Sequence, residues 1–414
     1  MAKDNKSTAT PRLRFPEFRK SKGWAKPTLS LVLCEHKLKS DGKSEVHSVS
    51  LTKGVIPQVE HMGRSFSSAD TSHYSLAKPF DIIYTKSPLA LFKLGIVKQH
   101  RGAQNAIVSP LYGVFSPSNR YVGQLIEAYF ESPSRNTRYL DPLAQKGAKN
   151  TIQISNERFL SGKIYLPKDE REQQKIADCL TSLDEVITAQ GRKVEALKAH
   201  KRGLMQQLFP REGETLPRLR FLEFRGGPEW ETVKASELFA NRTEKGDDDL
   251  PIYSVTMTDG LVKRSSLDRR IDDLADAEGN KKAYQHDIAY NMMRMWQGAC
   301  GVASEECMVS PAYVVLSPQT GVHSDFYGYF FKLPQILQLF TSHSRGLTKD
   351  RLRLYYQDFG RIPLPRPDIR EQRRIADCLH SLDAQIVTES AKLNALKTHK
   401  TSLMQQLFPS PEEI

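Results

Sequence analysis

Two stretches of the chain concentrate side chains that could grip a polyanion and read its edges. Lys86, Lys93, Lys98 and Arg101 surround Gly95 after a predicted strand. Asn291, Arg294 and Gln297 occupy the matching stretch later in the chain, with Gly301 read as the counterpart of Gly95. Arginine, lysine, asparagine and glutamine offer the paired or directional hydrogen bonds that distinguish base edges, and the cations also hold phosphate. Different polar residues at matched places are what two modules reading different sequences would carry. Lys263 and Arg264 add a basic pair to the second stretch. Lys281–Lys282 and Arg345 through Arg353 form further basic patches, and His36, Lys37, Lys39 and Arg64 are lesser candidates. An ordinary solvated loop would also accommodate any one of these residues.

No chemistry of bond-making stands beside them. The sequence has no Walker-type glycine loop, no HExxH and no GxSxG. Its eleven histidines are scattered, and no carboxylate–lysine cluster resembles a nuclease centre. His200 and His399 are equivalent positions on predicted helix surfaces, suited to contact with a partner protein. Five cysteines cannot all pair within the chain. Cys179 and Cys378 fall in helical patterns, and Cys300 and Cys307 stand apart from other metal ligands. The expectation is no catalytic, metal or cofactor site and a reducing, cytoplasmic setting.

The chain has 414 residues and a formal charge of +12, with 39% hydrophobic and 26% charged residues, as in folded proteins. No run reaches the roughly 20 apolar residues that span a bilayer, and the N-terminal MAKDNKSTATPRLRF lacks the apolar centre of a signal peptide. The charge is uneven. Residues 1–165 hold 25 Lys and Arg against 12 Asp and Glu, whereas residues 210–365 hold 20 against 22. A polyanion partner suits the first half by charge alone; the second needs its basic groups placed locally. The acidic run Asp268–Glu278 reads as a solvated loop or helix face.

What must position these residues is a duplicated scaffold. Residues 171–210, REQQKIADCL through LMQQLFP, return 199 positions later with 25 of 40 identical. RLRFPEFR at 12–19 is echoed by RLRFLEFR at 218–225, each followed by a tryptophan, Trp24 and Trp230. Between these markers lie short β-favouring runs separated by Gly, Pro and Ser turns: VHSVSL, FDIIYTK, AIVSPLYGVF and TIQISN, then PIYSVTM, HDIAYNM and CMVSPAYVVLSP. Helical runs follow near 119–131 and 324–341. Asp81–Tyr84 aligns with Asp287–Tyr290, and Val108–Pro110 with Val309–Pro311. The aromatic runs Tyr327–Phe331 and Tyr355–Tyr356 read as core rather than base-stacking surface, and Met292, Met293, Met295 and Trp296 read as buried, with an interaction patch as the alternative. The expected fold class is α/β (α+β): two related globular domains, 24–167 and 211–365, after an N-terminal segment, 1–23. Long helical regions at 168–210 and 366–414 complete the chain.

Those helices carry a stripe stepping by four and three. The first holds Ile176, Leu180, Leu183, Ile187, Val194, Leu197, Leu204 and Leu208. The second holds Ile375, Leu379, Leu382, Ile386, Leu393, Leu396, Leu403 and Leu407. A stripe this narrow stays buried only when helices wind together, so an intramolecular antiparallel coiled coil is expected. Each stripe is interrupted at matched places, Gln190 with Glu389 and Lys201 with Lys400. Those polar groups either select orientation, Glu389 approaching Gln190–Val194 or Lys201, or reach out to solvent. Some 33 residues at about 1.5 Å each give a rod of roughly 50 Å, enough to hold two modules a DNA turn or more apart.

The pattern resembles the specificity (S) subunits of type I restriction–modification systems over essentially the whole chain. IYLPKDEREQQKIADCLTSLDEVI and IPLPRPDIREQRRIADCLHSLDAQI, each opening a heptad helix that ends in LMQQLFP, carry the resemblance with the tandem arrangement. It implies that each α/β domain is a target recognition domain reading one half of an asymmetric, bipartite site in double-stranded DNA. Helices 170–208 and 369–407 would be the spacer between half-sites. The helical regions would dock two methyltransferase (M) subunits, joined by restriction (R) translocase and nuclease subunits. S-adenosylmethionine, ATP and magnesium would belong to those partners. For the near-neutral second domain we favour a phosphate grip supplied by the methyltransferase subunits over local placement of its own cations. Two alternatives are a protein-docking scaffold with inert α/β domains and a DNA-recognition subunit of another multi-subunit defence system. A hidden catalytic domain is not expected, because two repeats fill the length.

Overall fold

The computed structural model describes residues 8–64, 67–68, 70–146, 152–247, 249–267 and 279–409. The acidic run Asp268–Glu278 lies outside them. The chain forms two compact units, Met1–Gln190 with Lys392–Ile414, and Gly191–Ala391. Both boundaries fall inside the long helices, Glu170–Leu208 and Ile369–Leu407. Sequence repeat and compact unit are therefore out of phase: the end of each long helix is part of the unit that carries the other repeat's sheets.

Each unit is built on two four-stranded sheets with the same strand order. In the first unit, Leu33–Glu35, Gly113–Pro117, Ile82–Tyr84 and Val97–Gln99 form an antiparallel sheet. Gly54–Pro57, Glu45–Ser50, Ala106–Val108 and Ser75–Ala77 form a mixed sheet, whose parallel pair is Glu45–Ser50 with Ala106–Val108. The second unit repeats this order. Its antiparallel sheet is Phe239–Arg242, Tyr313–Pro318, Ile288–Asn291 and Cys300–Val302. Its mixed sheet is Leu261–Lys263, Ile252–Val255, Cys307–Val309 and Lys281–Ala283.

Helix Arg120–Phe130 follows the first pair of sheets. In the second unit the helical run 324–341 is two helices, Ser324–Phe330 and Pro334–His343, because Pro334 cannot continue a helix and starts the next at its first turn.

The paired aspartates explain the DIIY and DIAY echo. Asp81 accepts from the Lys78 amide at 2.7 Å and from Ser116 Oγ at 2.7 Å, and His36 Nε2 lies 2.6 Å away. Asp287 accepts from the Tyr284 amide at 2.9 Å and from Arg242 Nε at 2.6 Å. Each carboxylate thus ties a turn to its strand and satisfies a donor that would otherwise be stranded near the core.

The RLRF echo is a clamp on the start of each long helix. Arg14 Nε and Nη2 each lie 2.7 Å from the Glu172 carboxylate, and Trp24 Nε1 donates to the same group at 3.0 Å. Arg220 and Trp230 hold Glu371 in the same way, at 2.8, 2.8 and 3.1 Å. Both carboxylates are buried, so the bidentate guanidinium and the indole N–H supply the polar contacts they lost to water. One residue on, Gln173 and Gln372 are buried as well. They donate to the carbonyls of Pro167 at 2.7 Å and Pro367 at 2.8 Å. Asp169 and Asp368 cap the helices through the amides of Arg171 and Arg370.

The far ends of the helices complete the cores. Leu208 and Phe209 pack with Trp230, Phe326 and Ile375 in the second unit, and Leu407 and Phe408 with Trp24, Ile176 and Leu180 in the first. Phe408 meets Trp24 edge-on at 5.9 Å. Along both helices the stripe residues are buried or half-buried. In the second unit Lys201 pairs with Asp383 at 2.6 Å and Lys193 with Glu389 at 2.5 Å. Falling back eight residues on one helix advances six on the other, so the two segments run antiparallel. Glu389 thus meets the Gln190–Val194 region, at Lys193.

Candidate nucleic-acid interface

In the second unit, the turn after strand Ile288–Asn291 and the segment Arg345–Gln357 enclose a cleft of about 1010 Å³. Lys281, Arg345, Arg351 and Arg353 line it with Asn241, Met292, Met293, Tyr355 and Gln357, against one carboxylate, Asp350. Reciprocal backbone bonds of 2.9 Å between Arg345 and Arg353 close the segment into a loop. Arg345 is steadied by Asp358 at 2.6 Å. Burial lowers the Lys281 ammonium from its ordinary range, and its Nζ donates to the Tyr313 carbonyl at 2.6 Å. Four cations of this near-neutral unit, Lys281, Arg345, Arg351 and Arg353, are thus gathered at one place.

Asn291, Arg294 and Gln297 form the turn beside this cleft. The Asn291 side chain accepts from the Met293 amide at 3.0 Å, which fixes the turn. Arg294 is exposed and, among the described residues, its side chain has no hydrogen bond or ion pair. Gln297 is half-buried. Met293 and Tyr355 are exposed at 41% and 40%, so these two are surface, while Met295, Tyr327 and Phe331 are core. Lys263 is paired with Glu305 at 2.8 Å, Lys282 is paired with Glu306, and Arg264 Nε donates weakly to Ser254 Oγ at 3.4 Å.

In the first unit Lys86 and Lys93 are exposed. Burial of the Lys86 stem lowers its ammonium, and Glu35 partly restores it. Lys98 departs from the expectation: it is 5% exposed and lies 3.3 Å from Glu127 and 3.0 Å from Glu131. Burial alone would lower its pKa, but the two carboxylates raise it. Its charge is engaged inside the protein. Arg101 is exposed on one side and pairs with Glu127 at 2.9 Å. Lys39 donates to the His73 carbonyl at 3.1 Å, and Lys37 is exposed.

Strand register also corrects one pairing. Ile83 faces Lys98 and Ala289 faces Gly301, so Gly301 corresponds to Lys98. The counterpart of Gly95 is Gly298, and both adopt left-handed backbone, with φ 97° and 87°. At Gly95 a Cβ would sit 1.9 Å from the Thr85 carbonyl oxygen, so only glycine fits. Sequence spacing missed this because the two loops differ in length. The cleft loop Arg345–Arg353 was visible as a basic patch, but nothing in the sequence joined it to Lys281 or Asn241.

Among the described residues no cluster of histidine, cysteine or carboxylate groups could hold a metal ion, and no helix is long and apolar enough to cross a membrane. Two copies of one scaffold, each pairing two sheets with loops of differing polar content and each completed by both long helices, define a tandem-repeat protein. Residues 108–199 and 229–398, more than half of the chain, match the family model described as type I restriction modification DNA specificity domain, and the chain belongs to that family. In fold it is similar to the type I restriction–modification system S subunit from M. genitalium, at 12% identity and TM-score 0.57, covering 97% of this chain and 99% of that one. It is also similar to a chain from a study of complex assembly and conformational transition of the type I R-M system. There the identity is 16% and the TM-score 0.51, over 94% of this chain and 98% of that one. A match to the HsdS subunit from Thermoanaerobacter tengcongensis has 15% identity and TM-score 0.43, over 93% and 96%.

Proposed function

We propose that the chain is the non-catalytic specificity subunit of a type I restriction–modification system, acting in the cytoplasm. Its recognition domains, 24–167 and 211–365, read the two halves of an asymmetric, bipartite site in double-stranded DNA, and the helical regions 168–210 and 366–414 space them. The observation that carries the reading is the family match over both repeats, on a duplicated scaffold whose loops differ in polar content. In the second domain Arg345, Arg351, Arg353 and Lys281 grip phosphate, while Asn291, Arg294 and Gln297 approach base edges. In the first, exposed Lys86 and Lys93 are the cations best suited to the same work. Lys263 and Arg264 lie outside the cleft lining and are secondary contacts.

Two methyltransferase subunits dock on the helical regions, restriction subunits join that core, and the cofactors belong to those partners. Exposed His200 and His399, at matched positions outside the seam, suit such docking. The test is a methylation map of DNA modified by this chain co-expressed with its methyltransferase subunit. A bipartite motif with a constant gap is expected, altered on one side only when residues 24–165 are exchanged. An assembled complex without site-specific methylation would instead support a scaffold.

A further inference from the structure

Lys201 and Lys400 interrupt the heptad stripes at positions 199 apart, where a coiled coil alone would favour leucine. Their surroundings show a second employment. In the first unit Lys400 Nζ lies 2.6 Å from Asp184 on the other long helix and 2.8 Å from Glu131, just after helix Arg120–Phe130. Glu131 continues to Lys98 at 3.0 Å, Lys98 to Glu127 at 3.3 Å, and Glu127 to Arg101 at 2.9 Å. Three cations and three carboxylates thus alternate from the helix pair into the recognition domain's helix and sheet. Burial opposes the charge of Glu131, yet Lys98 and Lys400 hold its carboxyl below the usual range. Burial also opposes the charge of Lys400, and Glu131 and Asp184 outweigh it.

The second unit makes the same connection with other groups. Lys201 Nζ lies 2.6 Å from both oxygens of Asp383, the repeat-equivalent of Asp184, and 4.8 Å from the Tyr329 ring centroid. Tyr329 Oη donates to Asp383 at 2.7 Å. Its helix, Ser324–Phe330, follows the sheets just as Arg120–Phe130 does in the first unit.

We propose that these two networks are positioning devices: they fix the attitude in which each recognition domain is held on the helix pair, and so sharpen discrimination of the gap between half-sites. The proposal rests on the specificity reading above. A gap differing by one base pair displaces a half-site by about 3.4 Å and turns it by roughly 34° about the DNA axis, so only a domain free to shift and turn by that much would accept both. Apolar packing fills space without fixing direction, whereas charge-assisted contacts at 2.6–2.8 Å fix both the distance and the direction of the groups they join. Lys98 and Arg101 thereby act as positioning residues.

The experiment uses the full chain assembled with its methyltransferase subunits, on duplexes with both half-sites intact and the gap native, shortened or lengthened by one base pair. Lys400→Met keeps the stem and removes the charge, and Tyr329→Phe removes only a hydroxyl. Methylation at the native gap should persist with the same half-site sequences. Preference over the altered gaps should fall roughly tenfold for Lys400→Met, as expected for loss of a charge-assisted contact, and less for Tyr329→Phe. An equal loss at all gaps, or unchanged gap preference in both variants, would overturn the proposal. Wild-type complex that methylates at no fixed gap would sink the specificity reading itself.

Discussion

Phe408→Ala should destabilise the part of the protein that is remote from it in sequence. Phe408 is 1% exposed and belongs to the core that holds Trp24, Ile82, Tyr84 and Phe115. Removing a buried phenylalanine costs about 3–5 kcal/mol through lost transfer energy and the cavity left behind. Here the ring also meets Trp24 at 5.9 Å, Tyr129 at 6.1 Å and the Arg135 guanidinium at 5.0 Å. Aromatic pairs of this kind add roughly 0.5–1.5 kcal/mol beyond area. The upper half of the range, about 4–5 kcal/mol, is therefore expected. For a unit of this size it lowers the melting temperature by roughly 8–20 °C. Hydrogen exchange by mass spectrometry checks both size and place. Protection should fall in Ile82–Tyr84 and Gly113–Pro117 while Ile288–Asn291 keeps its own. Loss confined to Ile288–Asn291, or a destabilisation below about 1 kcal/mol, would refute the assignment of this helix end to the first unit.

Glu172→Gln leaves the Arg14 guanidinium without its counter-charge and should cost about 3 kcal/mol in chemical denaturation. Replacing Arg14 and Glu172 together by apolar residues should recover much of that loss. Arg353→Glu in the cleft should weaken binding to all DNA duplexes and reduce the slope of log affinity against log salt by at least about 1; an unchanged slope would remove Arg353 from the phosphate contacts. The ionic network has a signed pH dependence. Glu131, held below its ordinary value of 4.5, contributes stability that is present above that value and lost as pH falls through its depressed pKa. Lys98 and Lys400, raised above 10.5, contribute fully below that value and lose their effect as pH rises past it. Unfolding midpoints of wild type and Glu131→Gln should therefore differ by a constant amount between about pH 5 and 10 and converge in acid.

Much of the scaffold was legible because it obeys periodicity. The heptad stripe needs only helix geometry, and every seam residue from Ile176 to Leu208 and from Ile375 to Leu407 is buried or half-buried. The strands around Asp81 and Asp287 were legible because hydrophobic runs end in turns. Strands Val97–Gln99 and Cys300–Val302 were not, since one holds a lysine and a glutamine and the other a glycine. Only the long-range pairing of Lys98 with Glu127 and Glu131 makes a buried cation tolerable there. The same blindness affected the candidate interface. A lysine near a loop looks free in sequence, and only the fold shows that Lys98 is consumed while Lys93 is exposed.

The phase difference between repeat and compact unit gives these local facts a common consequence. REQ, IADCL and LMQQLFP are kept unchanged between the repeats, and they are parts that enter cores: Glu172 and Glu371 in the clamps, Ile176 and Ile375 in the cores, Phe209 and Phe408 in the aromatic clusters. Exposed loop side chains such as Arg294 and Lys93 bear no such duty and can change without cost to the frame. A chain arranged in this way can alter what each domain contacts while the helix ends that hold both domains stay fixed. Exchanging the exposed side chains Lys86 and Lys93, or Arg294, for those of related chains should therefore leave thermal stability within about 1 kcal/mol of the parent while changing the DNA bound. If instead such exchanges unfold the protein while Phe408→Ala does not, the loops carry the frame and the division of labour argued from the cores is wrong.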